Sequence, residues 1–103
     1  MSSRLLERLE LDEAMRRRLD PRHFLSLGVA RTDEVIALAD RLRVHLVVYD
    51  SLPPATEAAL CHLIEPAQLS SVELAEVAAL ERSLGPRAIV VAYDRPARPR
   101  VRA

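Results

Sequence analysis

Leu5, Leu9, Leu11, Met15 and Leu19 recur at helical spacings among Glu and Arg, which predicts an N-terminal helix over 4–19. Its apolar arc is wide, and Asp12 can instead cap a second short helix inside that stretch. Arg16, Arg17 and Arg18 fall in the last turn, where cations meet the negative end of the helix dipole. Asp20-Pro21 closes the helix, because a residue before proline avoids the α region. His23-Phe24-Leu25-Ser26-Leu27 is a short β candidate ended by Gly28. Thr32 caps the next helix, with Asp33 and Glu34 in its first turn and Val35, Leu38, Ala39 and Leu42 as its apolar stripe.

Val44-His45-Leu46-Val47-Val48-Tyr49 is the clearest strand, β-branched and almost continuously apolar, as expected of a strand buried on both faces. Asp50-Ser51 ends it. Pro53-Pro54 opens a helix whose buried side is Ala55, Ala59, Leu60, Leu63 and Ile64, interrupted by Pro66. Ser70 and Glu73 have capping-box spacing before a helix that runs through Leu84 and stops at Gly85-Pro86. Ala88-Ile89-Val90-Val91-Ala92-Tyr93 is a second buried strand, closed by Asp94. Helices between buried strands read as crossovers, which place strands parallel. The expected fold is therefore α/β: a small, mostly parallel three-stranded sheet flanked by helices, with an N-terminal helix.

The chain also echoes itself. Glu34-Val35-Ile36-Ala37-Leu38, Leu42 and Val47-Val48-Tyr49-Asp50 recur as Glu76-Val77-Ala78-Ala79-Leu80, Leu84 and Val91-Ala92-Tyr93-Asp94, the second copy being two residues longer. Either the unit is duplicated, or two helix–strand units obeying the same physics look alike.

Composition narrows the setting. The 103 residues are enough for one domain, placed at 1–94, and with only three aromatics the core must come from Leu, Val, Ile and Ala. The formal charge is zero, fifteen basic against fifteen acidic, and every basic residue is arginine. A globally basic nucleic-acid binder is excluded. Residues 95–103 hold Arg95, Arg98, Arg100 and Arg102 with Pro96 and Pro99, leaving eleven arginines against fifteen acids before them, a net of −4. This basic Pro/Arg tail is expected to be disordered, either as an arm for RNA or an acidic partner or as a solubilising terminus. A single cysteine, no apolar run near the roughly 20 residues of a membrane span, and a charged N-terminus point to a cytoplasmic protein away from membranes.

At residues 19–60 a resemblance emerges. Leu19-Asp20-Pro21-Arg22-His23-Phe24-Leu25-Ser26-Leu27-Gly28, then Asp33-Glu34 and Ala37-Leu38-Ala39, resemble the N-terminal domain of the HflX family of ribosome-associated GTPases. In that family an Asp-Pro-Arg and aromatic run leads into Ile-Gly-Ser-Gly-Lys and a helix. A hydrophobic strand with Asp and a Leu-Ser-Pro helix follow, and here that stretch is Leu46-Val47-Val48-Tyr49-Asp50-Ser51-Leu52-Pro53-Pro54. The glycine-lysine loop is reduced to Ser26-Leu27-Gly28-Val29. No Gly-x-x-x-x-Gly-Lys-Ser/Thr occurs, and the chain has no lysine. The resemblance implies a stand-alone α/β domain without the GTPase motor, working on a protein or ribonucleoprotein partner.

Candidate chemistry is sparse. In a parallel sheet Asp50 and Asp94 would share the rim at the strands' carboxyl ends, where ligands bind, with Ser51 and Gly28 beside them. Each aspartate can equally accept backbone hydrogen bonds at the following turn. His23, His45, His62 and Cys61 are the soft ligands, but Cys61 and His62 diverge by about 100° on a helix, so no metal is expected. Cys61 lacks a well-placed base, and neither Ser26 nor Ser51 sits in a Gly-x-Ser-x-Gly elbow. Tyr49 and Tyr93 can stack on a base or simply pack. No cofactor is expected. The leading expectation is a non-catalytic interaction domain that forms a homodimer or binds a protein partner, with the ribosome or RNA as further partners. The alternatives are a small nucleotide- or RNA-binding regulator, and an enzyme or accessory subunit with an unrecognised site.

Overall fold

The computed structural model describes residues 4–9, 13, 17, 24–51 and 64–97. Along them run α1 (Arg4–Glu7), α2 (Val29–Leu42), β1 (His45–Asp50), α3 (Ser71–Leu84) and β2 (Ala88–Tyr93). The first helix stops at Glu7 rather than continuing, and Arg8 and Leu9 form a turn. Beyond it, Glu13 and Arg17 are helical and pair at 2.8 Å, one turn apart. The expected helix opened by Pro53-Pro54 falls largely outside the described residues.

Helix α3 forms where the capping box places it. The Glu73 N–H donates to Ser70 Oγ at 3.2 Å, and the Ser70 N–H donates to Glu73 Oε1 at 2.9 Å. The Ser70 backbone N–H thereby holds the Glu73 carboxyl below its ordinary range. Gly85, at φ 110°, ends the helix in a conformation that side-chain-bearing residues rarely adopt. Helix α2 starts four residues earlier than Thr32 predicts. Gly28 is its N-cap, with no side-chain cap, and Thr32 lies inside the helix, 1% exposed, donating its N–H to the Gly28 carbonyl at 2.9 Å. Burial of the helix face overrides the local cap signal of Thr32.

The sheet corrects the expected architecture. It has two strands, not three, and they are antiparallel, with His45 opposite Tyr93 and Asp50 opposite Ala88. The first β candidate is reduced to a single bridge, Phe24 to Tyr49, with the Leu25 N–H donating to the Val48 carbonyl at 3.1 Å. A second bridge, Pro66 to Tyr93, lies at the other edge, and both are antiparallel. The physical reason is the number of traverses. Asp50 and Ala88 stand at one end of the sheet, but Pro66 stands at the other, beside Tyr93. Between Ser51 and Pro66 the chain passes from one end of the sheet to the other, and α3 brings it back, so the second strand runs against the first. The parallel reading takes the helices between the strands as single crossovers; the double burial of β1 comes from two unlike layers.

Leu46, Val48, Ala88, Val90 and Ala92 point to one face and pack with Val35, Leu38 and Ala39 of α2 and Val77 of α3. Val47, Val91 and Tyr93 point to the other, with Leu9, Ile64, Phe24 and Tyr49. α1 and the turn after it pin the margin of both layers, Leu5 of the helix entering the first cluster and Leu9 of the turn the second.

The sequence echo is also a spatial one. Helices α2 and α3 are both fourteen residues long and offset by 42, as are their caps Gly28 and Ser70. The same offset relates the bridges at Phe24 and Pro66 and the hydrogen bonds from Leu25 and Ala67, while their strand partners, Tyr49 and Tyr93 and Val48 and Ala92, are offset by 44. Val47 and Val91, equivalent in the echo, are directly opposite each other. The pairing is thus that of a two-fold arrangement whose axis passes between these two valines. Tyr49 and Tyr93, also equivalent, arch toward one another over that point and join hydroxyls at 2.5 Å.

Beyond the Pro66 bridge, the edge of β2 has a side-chain cover. The Val90 N–H faces away from β1 and donates to Glu81 Oε2 of α3 at 2.9 Å. A carboxylate there satisfies a donor that would otherwise template another strand. Glu81→Ala is expected to cost about 1 kcal/mol and to speed hydrogen exchange of the Val90 amide, while Glu81→Gln, which keeps an acceptor, restores most of both. Denaturant unfolding with amide exchange checks this, and equal exchange in all three proteins would refute it.

Candidate functional site

Antiparallel pairing takes the anticipated rim apart. Asp50 ends β1 opposite Ala88, whereas Asp94 follows β2 at the end where β1 begins. Six strand positions separate the two ends, about 20 Å, so the two carboxylates cannot share an ion or a ribose. Asp50 instead meets Arg87 in a two-pronged pair: the Arg87 Nε–H donates to Oδ1 at 3.2 Å and an Nη2–H donates to Oδ2. The Asp50 side chain is nearly buried, and its hydrogen bond raises the already high Arg87 pKa. The Ser51 N–H donates to the Arg87 carbonyl at 2.8 Å, so Asp50, Ser51 and Arg87 together clasp the β1 exit to the β2 entrance. At the far end the Asp94 N–H donates to the Glu65 carbonyl at 3.1 Å.

Gly28 lies in ordinary extended backbone (φ −67°, ψ 168°), and a Cβ there would meet nothing within 4 Å. It is a helix cap whose conformation and surroundings another residue could adopt. Of the tail, Arg95 is described and Arg98, Arg100 and Arg102 lie outside the described residues. Arg95 donates to Asp40 Oδ1 of α2 at 2.8 Å, and Arg8 donates to the same oxygen. One carboxylate therefore ties the N-terminal turn and the start of the tail to α2. The Arg95 hydrogen bond, helped by the charges of both arginines, holds the Asp40 carboxyl below its ordinary range.

His23, Cys61 and His62 lie outside the described residues. Among the described residues no three His, Cys, Asp or Glu side chains gather as a metal site, and no helix is long and apolar enough to cross a membrane. Tyr93 is fully buried and Tyr49 partly so; Tyr49 stacks on Phe24 at 5.3 Å between ring centroids. Both tyrosines thus serve the packing reading. A shallow groove runs between α2 and α3, lined by Ala37, Leu38, Ala79 and Leu80 and flanked by Glu34, Arg41 and Glu76. Its charges are engaged: Arg41 with Glu76 at 2.5 Å, and Glu34 with Arg31 at 2.9 Å.

What sequence reasoning missed is apolar. Val29, Val72 and Leu74 are 74%, 70% and 55% exposed. A signal was present: α3 carries apolar residues at 72, 74, 75 and 77–80, too wide an arc for one sheet face to cover. Comparison with protein families, with curated proteins and with solved structures gives no match to this chain.

Two outcomes follow. Stability linked to Asp40, a group with a lowered pKa, is complete above its unfolded value near 3.8 and is lost as pH falls through the folded value. Asp40→Asn is expected to remove that component, so its unfolding midpoint should fall less steeply on acidification than the parent's; identical slopes would show that the arginine pairing adds nothing. The protein is also expected to release no phosphate from GTP or ATP, since the chain has only two glycines, no lysine and no Gly-x-x-x-x-Gly-Lys-Ser/Thr loop. Magnesium-dependent turnover that co-elutes with the pure protein and disappears in Asp50→Asn would overturn this.

Proposed function

We propose that the protein is a non-catalytic interaction domain, similar to the N-terminal module of the HflX family, that docks on a protein or ribonucleoprotein partner. The observation that carries this reading is the contrast between its polar and apolar groups. Asp50, Asp40, Arg95 and Arg41 are engaged in pairs that hold the fold together, whereas Val29, Val72 and Leu74 stand in water on helix surfaces. Exposed apolar side chains rimmed by charge suit docking better than turnover. The resemblance to the HflX module rests on the quoted residues of 19–60, whose described part, 24–51, builds the first bridge–helix–strand unit. It supplies the ribosome as the first partner to test. A second copy meeting α1 or an outer sheet edge belongs to the same reading.

Sedimentation through a sucrose cushion checks it. The protein is expected to pellet with ribosomal particles from its own cytoplasm, and a Val72→Asp/Leu74→Asp variant to lose most of the bound fraction with its unfolding midpoint unchanged. Retention of the parent above the cushion would remove the ribonucleoprotein partner. Undiminished pelleting of the double variant would remove this helix surface.

A further inference from the structure

The two-fold arrangement is not equally built from its two halves. The first unit, residues 24–50, contains everything that the pairing uses, whereas the second, 66–94, does not. Across the axis Arg41 of α2 reaches Glu76 of α3, and the equivalent of Glu76 within the first unit is Glu34. Two first units placed about the same axis would therefore make this ion pair twice, Arg41 of each copy meeting Glu34 of the other. Two second units would make it nowhere, because Ser83 stands at the position of Arg41.

The other contacts on the axis repeat in the same way. Val47 would face Val47, as it now faces Val91. His45 would face Tyr49, as it now faces Tyr93. Leu46 would face Val48 on the helix-covered layer, an apolar pair where Leu46–Ala92 now stands. The two Tyr49 hydroxyls would meet as those of Tyr49 and Tyr93 do. Ala37 and Leu38, which with Ala79 and Leu80 line the seam between the helices, would line it from both sides.

We infer that the face formed by β1 and the groove side of α2 is self-complementary, and that its fitting partner beyond β2 and α3 is the same face of a second copy of this chain. In the intact protein the tethered second unit occupies that face, at an effective concentration of order millimolar, so free copies do not compete. Disabling the second unit exposes the face and turns the chain into a dimer. The inference concerns the inner edges of the sheet and stands independently of the outward surfaces proposed for partner docking.

The test uses the full chain. In Val91→Pro, proline removes an N–H that faces β1 and breaks the β2 ladder. At tens of micromolar this variant is expected to show twice the single-chain mass by light scattering, with its helical signal largely retained. Val47→Pro, which breaks β1, is expected to remain single. Within Val91→Pro, adding Arg41→Glu is expected to weaken the dimer about tenfold, through two lost pairs and new like-charge contacts. Adding Glu34→Arg as well restores it. A Val91→Pro protein that stays monomeric, folded or unfolded, overturns the inference. So does equal dimerisation of Val47→Pro, or a dimer indifferent to the charge reversal.

Discussion

The antiparallel register of β1 on β2, centred on Val47 and Val91, determines where the other described elements lie. It sends Leu46, Val48, Val90 and Ala92 toward the helices and Val47, Val91 and Tyr93 toward Leu9, Phe24 and Ile64. A slip of one residue would exchange these two sets, facing the tyrosines toward the helices. The register also decides which charges can meet. Asp50 lies beside the β2 entrance and finds Arg87, while Asp94 lies at the opposite end. With so few aromatics, the small core relies on this strand pair to bury its β-branched side chains on both faces.

Departures from the two-fold arrangement are as informative as the arrangement itself. Glu81 stands where the first unit has Ala39, and its carboxylate covers the Val90 donor at the sheet edge. Asp40 stands where the second unit has Arg82, and it gathers Arg8 and Arg95, the residues that attach the two ends of the described chain. Leu74 stands where the first unit has the buried Thr32, leaving an apolar side chain in solvent. Each difference falls at a place where one half meets something the other does not: an open edge, a chain end or water.

The polar residues that attract notice in the sequence are therefore largely structural in the fold. Arg87 and Asp50 close the passage from one strand to the next, the Tyr49 and Tyr93 hydroxyls meet over the axis, and Ser70 with Glu73 starts a helix.

Local signals in the sequence determined the two strands and the two long helices, though the helix expected over 4–19 stops at Glu7 and the strand expected at 23–27 is a single bridge. The β-branched runs read at 44–49 and 88–93 are strands, the first shifted by one residue to 45–50, Ser70 with Glu73 starts α3, Gly85 stops it, and the helix–strand echo marks two like units. These succeed because propensity, capping and period act over a few residues. Even there, Thr32 misplaced the start of α2, because a cap signal of about 1 kcal/mol yields to burial of a helix face. The direction of β2 was decided only by tertiary structure. A run of apolar side chains shows that a strand is covered on both faces, but not whether helices, turns or loops cover it. Parallel or antiparallel pairing depends on how often the intervening chain crosses the sheet. Pro66 beside Tyr93 marks an extra crossing between Ser51 and α3 that no local pattern specifies. The same long-range geometry parted Asp50 from Asp94, since two residues with identical local surroundings share a rim only when their strands point the same way.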